Sequence, residues 1–325
     1  FRLVQRTASN DELVYLAGEG LRSLDVSAKP VQRDTGRKSF FLANLAAGVD
    51  DNVIAFPDQL QQSSSRGEDS FLEFLGYGQQ YLTGNQNHGV QVHGFIYSRR
   101  YNELDVMDLN MISLGLDRDT SFNRWSVRYG LGAGYSEVDG EELTTQIKGN
   151  LKIGRRAGRH EYSARYQPIH HNGGSNFSQL DGWEHRLDLT WRYRVGNGRW
   201  TVRYRLEAND RDDLTSNGTF LSYSPLRNGL MIQGEWYATA NLTLVAGGEY
   251  VDSHYDDKNS LTDIDGVFKT AERDSDEVKL WLRGEYAFHP RWRLIAEYRY
   301  AERDDEFLLY EYDRNEAKLS IEYSH

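Results

Sequence analysis

The chain has no cysteine, which excludes a disulfide framework and fits a cell-envelope protein that needs none. It has no uninterrupted apolar run approaching the ~20 residues of a transmembrane helix, so a helical membrane protein is excluded. Nor does it have an excess of positive charge: 38 Lys+Arg against 49 Asp+Glu give a net charge of -11, which argues against nucleic acid as a partner. His170-His171 and the Asp210, Asp212 and Asp213 group lack any spacing that fixes an acid, a base and a nucleophile, so no enzyme activity and no cofactor are expected. Asp252, Asp256, Asp257, Asp263 and Asp265 supply oxygen atoms without the spacing of a calcium loop, and no metal is expected either. The chain begins at Phe1 without a basic-plus-apolar leader, and the expectation is a mature form whose signal peptide has been removed.

What the sequence does have is aromatic residues, 13% of the chain with 21 Tyr and 7 Trp, set in a strict alternation. From Trp183 to Ala208 the alternation is clearest. Trp183, His185, Leu187, Leu189, Trp191, Tyr193 and Val195 share one face, and Glu184, Arg186, Asp188, Thr190, Arg192 and Arg194 share the other. Gly196-Asn197-Gly198 supplies a hairpin turn, and the return strand places Trp200, Val202, Tyr204, Leu206 and Ala208 on the apolar face. The aromatic residues gather at strand ends with aliphatic residues between them, which is how a lipid-facing strand anchors in two interfacial girdles. This stretch reads as a membrane-spanning β-hairpin.

The same pattern repeats along the chain. Residues 1–38 lack it and form an N-terminal pre-barrel segment; residues 39–325 read as a transmembrane antiparallel β-barrel of about fourteen strands, an all-β fold. Asp117-Arg118-Asp119 is expected to turn strand four, and Arg155-Arg156-Ala157-Gly158 to turn strand six. Leu143, Ile147, Leu151 and Ile153 are expected outward on strand six. The longest loop is expected from about Asp252 to Ser275. Turns and longer polar loops alternate, as short periplasmic turns and longer extracellular loops do. A soluble sandwich or propeller also alternates its residues, but the girdle positions and the lack of a repeating blade length speak against it.

Inward positions then carry the candidate chemistry. Strands five to nine place Arg124, Arg128, Lys148, Lys152, Arg165, Arg186, Arg192, Arg194, Arg203 and Arg205 inward, a basic arc. Strands ten to fourteen supply Glu235, Glu249, Glu277, Glu285, Glu297, Glu316 and Glu322, interrupted by Lys279, Arg283, Arg293 and Arg299. Across a closed barrel such arcs would set up a transverse field, unless the charges pair between neighbouring strands and simply solvate the lumen. Phe95, Tyr97, Tyr237 and Trp281 break the polar face, and an aromatic ring in a polar lumen suits the apolar face of a sugar ring or merely fills space.

The terminal Leu319-Ser320-Ile321-Glu322-Tyr323 resembles the last-strand assembly signal of bacterial outer-membrane porins, with His325 standing where that signal ends in an aromatic residue. The length, the strand count and the N-terminal segment resemble the monomeric cyclodextrin-specific porins of enteric bacteria. That resemblance implies a monomer in the outer membrane of a Gram-negative bacterium, among lipid and lipopolysaccharide. It also implies passive diffusion of bulky neutral oligosaccharides, cyclodextrins or linear maltodextrins; the alternatives are a channel for anionic, uronate-type oligosaccharides and an outer-membrane hydrolase.

Residues Phe1 to Leu16 are expected to act as a lumenal plug, with Phe1, Leu3, Val4, Val14, Tyr15 and Leu16 as apolar anchors and Arg2, Arg6, Asp11 and Glu12 pairing with the charged walls. A tethered segment stays concentrated beside the pore mouth, so weak contacts suffice to hold it. The competing expectation is a disordered periplasmic tail. Single-channel recordings after deletion of these residues separate the two: spontaneous closures give way to a steadily open pore if the segment plugs, and the gating trace is unchanged if it does not.

Overall fold

A strand in an apolar surrounding must pair the N–H and C=O groups on both of its edges, because each unpaired group costs several kcal/mol there. The chain meets this by closing on itself. The computed structural model describes residues 39–55, 67–216 and 218–325. They form a closed antiparallel barrel of fourteen strands. In chain order these are β1 (Ser39–Asp50), β2 (Asp69–Gly84), β3 (His88–Tyr101), β4 (Leu109–Phe122), β5 (Trp125–Val138), β6 (Glu141–Ala157) and β7 (His160–Gly173). There follow β8 (Gly182–Val195), β9 (Gly198–Arg211), β10 (Pro225–Tyr237), β11 (Leu242–Thr262), β12 (Phe268–His289), β13 (Trp292–Asp305) and β14 (Tyr312–Ser324). Each strand pairs with the next, and β14 pairs with β1 from Leu42↔Ser324 to Asp50↔Glu316, so neither terminal strand has a free edge over that span. The expected N-terminal plug lies outside the described residues.

One end of the barrel carries the tight reversals. β8 and β9 are joined by Gly196-Asn197, with Gly196 at φ 50, and β4 and β5 by Asn123-Arg124, with Asn123 at φ 53. Both conformations are left-handed, which Gly adopts freely and Asn tolerates. The other end carries most of the longer connections. Among the described residues, three single turns of 3-10 helix sit in them, at Asp105–Met107, Ser178–Leu180 and Leu308–Tyr310. Met107, Leu180, Leu309 and Tyr310 are buried there with Leu109, Leu143, Phe177, Leu261 and Phe307, a compact apolar cluster under the loops.

The outward face is apolar and open to its surroundings: Leu131 is 70% exposed, Ile147 65% and Leu282 59%. Trp125, Trp191, Trp200, Trp236 and Trp292 ring the tight-turn end, and Trp183, Tyr250 and Tyr298 stand toward the other. Exposed aliphatic residues between aromatic belts have their low-energy surrounding in lipid rather than water.

Several expectations are corrected. Asp117-Arg118-Asp119 does not turn the chain but continues β4, with Asp117 and Asp119 buried inside, and the reversal comes five residues after Arg118, at Asn123. Arg124 therefore stands exposed in that reversal rather than on the inner wall. The β6–β7 turn falls at Gly158-Arg159, since β6 runs through Ala157. Leu143 faces inward, fully buried, because a bulge pairs Ser136 with Thr144 and Glu137 with Glu142 and leaves Leu143 unpaired, flipping the phase of the strand. The stretch from Asp252 to Ser275 is no open loop: β11 and β12 extend through it as a paired hairpin with a register shift between His254 and Lys258. A smaller hairpin, Leu214–Ser216 with Thr219–Leu221, leans on it through Phe220↔Ser260.

The register gives a direct test. Leu189 is outward and Arg192 is inward, within 3.4 Å of Glu161. A lipid-facing Arg costs roughly 2–4 kcal/mol at the bilayer midplane, and a polar lumen imposes no such cost on a Leu. Leu189→Arg is expected to lower folded yield in lipid vesicles, read as heat-modifiable mobility, while Arg192→Leu leaves it near normal. Equal tolerance of both would refute the assignment of faces.

Candidate functional site: the interior wall

Antiparallel pairing brings directly opposite side chains to within about 5 Å, and on this wall many opposite residues carry opposite charge, although Lys152 stands between Arg128 and Arg165. Glu73 faces Arg99, Asp119 faces Arg128, Glu161 faces Arg192, Arg186 faces Glu207, and Asp188 faces Arg205. Arg199 faces Glu235, Arg283 faces Glu297, and Arg293 faces Glu322. The contacts follow the register. Arg128 Nε donates to Asp119 at 2.7 Å and Arg205 Nε to Asp188 at 2.8 Å, while Arg192 comes within 3.4 Å of Glu161. Arg203 lies 3.6 Å from Glu249, Glu285 takes contacts at 3.0 Å from both Arg283 and Arg293, and Arg299 Nε donates to Glu297 at 2.6 Å. Arg199 is bonded to Glu235. Lys148 Nζ reaches Ser113 Oγ at 3.2 Å, and Arg165 Nε donates to Asn150 at 3.0 Å.

The expected division into a basic arc and an acid-rich arc thus dissolves largely into neighbour pairs. Coulomb attraction falls with distance, so a carboxylate one strand away outcompetes one across the lumen.

A denser web that the sequence did not single out lies where β3, β2, β1 and β14 meet. Arg99 is buried between Glu73, at 3.1 Å from Nε, and Glu316, at 2.8 Å. Tyr97 donates its hydroxyl to Glu73 at 2.9 Å, Lys318 Nζ reaches Glu73 at 3.2 Å, and Arg314 Nε donates to Asp50 at 3.0 Å. The available signal was the pairing of Glu73 with Arg99, which becomes visible only once the β2–β3 register is known.

The four aromatic candidates separate into two kinds. Phe95 and Tyr97 are buried in the apolar cluster beside Leu75 and Met111, so no ring face is open to a sugar, which corrects their assignment as stacking residues. Tyr237 and Trp281 are only partly buried. Tyr237 donates to Glu235 at 3.2 Å, and the Trp281 ring lies over Gly247, where a Cβ would come within 2.4 Å of it, and donates to Gln233 at 3.3 Å. Only glycine leaves room for that ring.

The wall encloses open space. A recess open to solvent is bordered by Arg186, Glu207, Arg227, Glu249, Lys279 and Tyr312 among others. A second, smaller one is lined by Lys152, Arg165, Arg192, Arg199 and Arg203 against Asp188 and Glu235. His170 and His171 point to opposite faces, His170 against Trp183 and His171 to Glu184 at 3.1 Å, so they share no site. On the loop above, burial lifts the Asp213 carboxyl above its ordinary pKa, and the charges of Asp257 and Asp212 add to this. Among the described residues no three metal-ligating side chains converge.

No family model and no curated protein matches the chain. Solved structures do. A loop L8 deletion mutant of OmpT, an outer membrane protein of Vibrio cholerae, superposes with a TM-score of 0.50 at 14% identity, over 89% of this chain and 100% of that one. The fold is that of an outer-membrane β-barrel. An anion-selective porin from Comamonas acidovorans gives a TM-score of 0.46 at 9% identity, over 88% of this chain and 98% of that one. OprD of Pseudomonas aeruginosa gives 0.40 at 13% identity, over 88% and 95%.

Breaking a buried pair costs about 3–5 kcal/mol, because the partner is left buried and uncompensated. Arg99→Met strands two carboxylates, Glu73 and Glu316, and is expected to lower stability by about that much in urea unfolding from lipid vesicles. Adding Glu73→Gln and Glu316→Gln is expected to recover part of the loss; no recovery would mean that packing of the Arg99 side chain on Phe71, 4.1 Å to the ring centroid, carries the effect.

Proposed function

We propose that the protein is a passive-diffusion porin of the Gram-negative outer membrane that admits oligosaccharides to the periplasm. The observation that carries this reading is a polar interior wall whose charges are largely compensated in adjacent pairs, around recesses that open to solvent. A compensated wall presents both donors and acceptors without a strong net field, which suits a bulky neutral solute whose hydroxyl groups do both. Tyr237 and Trp281 add partly open ring faces to it. Cyclodextrins and linear maltodextrins are solutes of this kind. The protein works as a monomer in contact with lipid and lipopolysaccharide, without cofactor or catalytic group.

One observation favours a second reading, a channel for uronate-type anionic oligosaccharides. The smaller recess has five cationic side chains against two carboxylates, and Arg203 Nε is buried there without a hydrogen-bond acceptor.

Planar-bilayer conductance decides between them. Blockade by neutral cyclic or linear glucans at sub-millimolar concentration, with little effect of galacturonate oligomers, is the expected result. Blockade by uronates alone would favour the second reading, and failure to form any channel would dispose of both. A sizing run in detergent tests the monomer.

A further inference from the structure

The inner wall matches nearly every arginine with a carboxylate, but the outside of the tight-turn end does not. Arg124 in the β4–β5 turn and Arg155 near the end of β6 are exposed, as is Arg118 on the outer face of β4, whereas Arg159 in the β6–β7 turn borders a recess with Glu161, Arg192 and Arg199 of the inner wall. None of the Arg118, Arg124 and Arg155 guanidinium groups has a carboxylate within 4.0 Å among the described residues, in contrast to Arg156 beside them, which is bonded to Glu161 at 2.9 Å. The group is densest on β4 to β6, while Arg194 beside the β8–β9 turn and Arg291 in the β12–β13 turn are single exposed arginines elsewhere on this rim. The turn regions at β2–β3 and β10–β11 carry Asn85-Gln86-Asn87 and Ala238-Thr239-Ala240-Asn241, with no charge. At the opposite end of the barrel the exposed charges are mostly carboxylates, among them Glu103, Asp105, Asp139, Asp274 and Glu302.

The level of the basic group is fixed by its neighbours. The Arg155 guanidinium lies over the Trp125 ring, 5.3 Å to the centroid, and Tyr162 and Trp191 continue the same row across β7 and β8, in register. Aromatic residues of a girdle sit at the boundary between hydrocarbon and headgroups, and a long cationic side chain beside them reaches outward to the phosphate layer. An exposed cation at that level, without a partner in the protein, finds its counter-charge in the membrane.

We infer that the rim formed by Arg118, Arg124 and Arg155 is a binding surface for anionic phospholipid headgroups of the periplasmic leaflet, with phosphatidylglycerol as the simplest such lipid. The inference rests on the reading of the tight-turn end as periplasmic in an outer-membrane barrel. A single arginine near an anionic surface contributes roughly fivefold in affinity, so several acting on one or two headgroups give a clear preference over a zwitterionic lipid.

The test uses the full chain in mixed nanodiscs of phosphatidylethanolamine and phosphatidylglycerol, with the retained lipids counted by native mass spectrometry after release into detergent. Enrichment of phosphatidylglycerol of at least about fivefold at 0.1 M salt, falling toward one at 1 M, is the expected result. The triple variant Arg118→Gln, Arg124→Gln, Arg155→Gln is expected to lose the enrichment, and the corresponding triple Lys variant to keep most of it. Wild-type protein that incorporates normally but retains both lipids in proportion overturns the inference and leaves the porin reading standing. Preferential retention of lipopolysaccharide over phosphatidylglycerol also overturns it. Failure to enter nanodiscs at all is a different outcome, which refutes the membrane barrel itself.

Discussion

Backbone hydrogen bonding without water is the constraint from which the rest of this molecule follows. A peptide group in hydrocarbon has no solvent to turn to, so every strand must be bonded on both sides, and a sheet that satisfies this has to close. Closure is made by β14 on β1, the two strands most distant in the chain. Once the sheet is a cylinder, the period of two splits each strand into a lipid face and an interior face, and the two faces obey different rules. Outside, apolar area is gained and charge is confined to the rims. Inside, charge is admitted on the condition that each group has a neighbour to compensate it.

That condition is met within the sheet rather than across the lumen. Two unit charges at 4 Å attract by about 4 kcal/mol at an effective dielectric of 20, and the attraction falls inversely with distance and further with screening by water and salt. Cross-strand partners therefore dominate, and the wall is stitched around its circumference by pairs such as Asp119–Arg128, Asp188–Arg205 and Glu285–Arg293. Where burial is deepest, around Arg99, the pairs merge into a web with Glu73, Glu316 and Lys318, and two tyrosine hydroxyls join it. The price of such a web is that no member can be removed alone.

Much of this was legible in the sequence. Alternation identified the strands, because a lipid-facing side chain and a lumenal one cannot trade places. The hairpin from Trp183 to Ala208 has the faces and the turn that its residues dictate. What the alternation could not show was register and the places where it breaks. Asp117-Arg118-Asp119 looks like a turn because a string of charges usually is one; only the partners of Asp119, Arg128 and the Tyr81 hydroxyl, explain why it stays in β4. Leu143 carries no mark of the bulge that turns it inward. Phe95 and Tyr97 have the parity of lumenal residues, yet they are covered by side chains brought in from other strands. The interior charges were named from parity, but which of them neutralise each other is a property of neighbouring strands and is absent from any one of them.

The stitched wall also constrains how such a protein can change over generations. With Asp188 bound to Arg205, and Glu285 held by Arg283 and Arg293 together, replacing one charge leaves its partner exposed to the pore or stranded beneath it. Drift at a single site is then selected against even where it would suit a new solute. Under the proposed channel function, selectivity is free to move when both members of a pair are exchanged, so the unit of variation on this surface is the rung between two strands, and altered permeability should be inherited as linked substitutions at cross-strand positions, whose separation runs from 9 residues for Asp119 and Arg128 to 36 for Arg199 and Glu235.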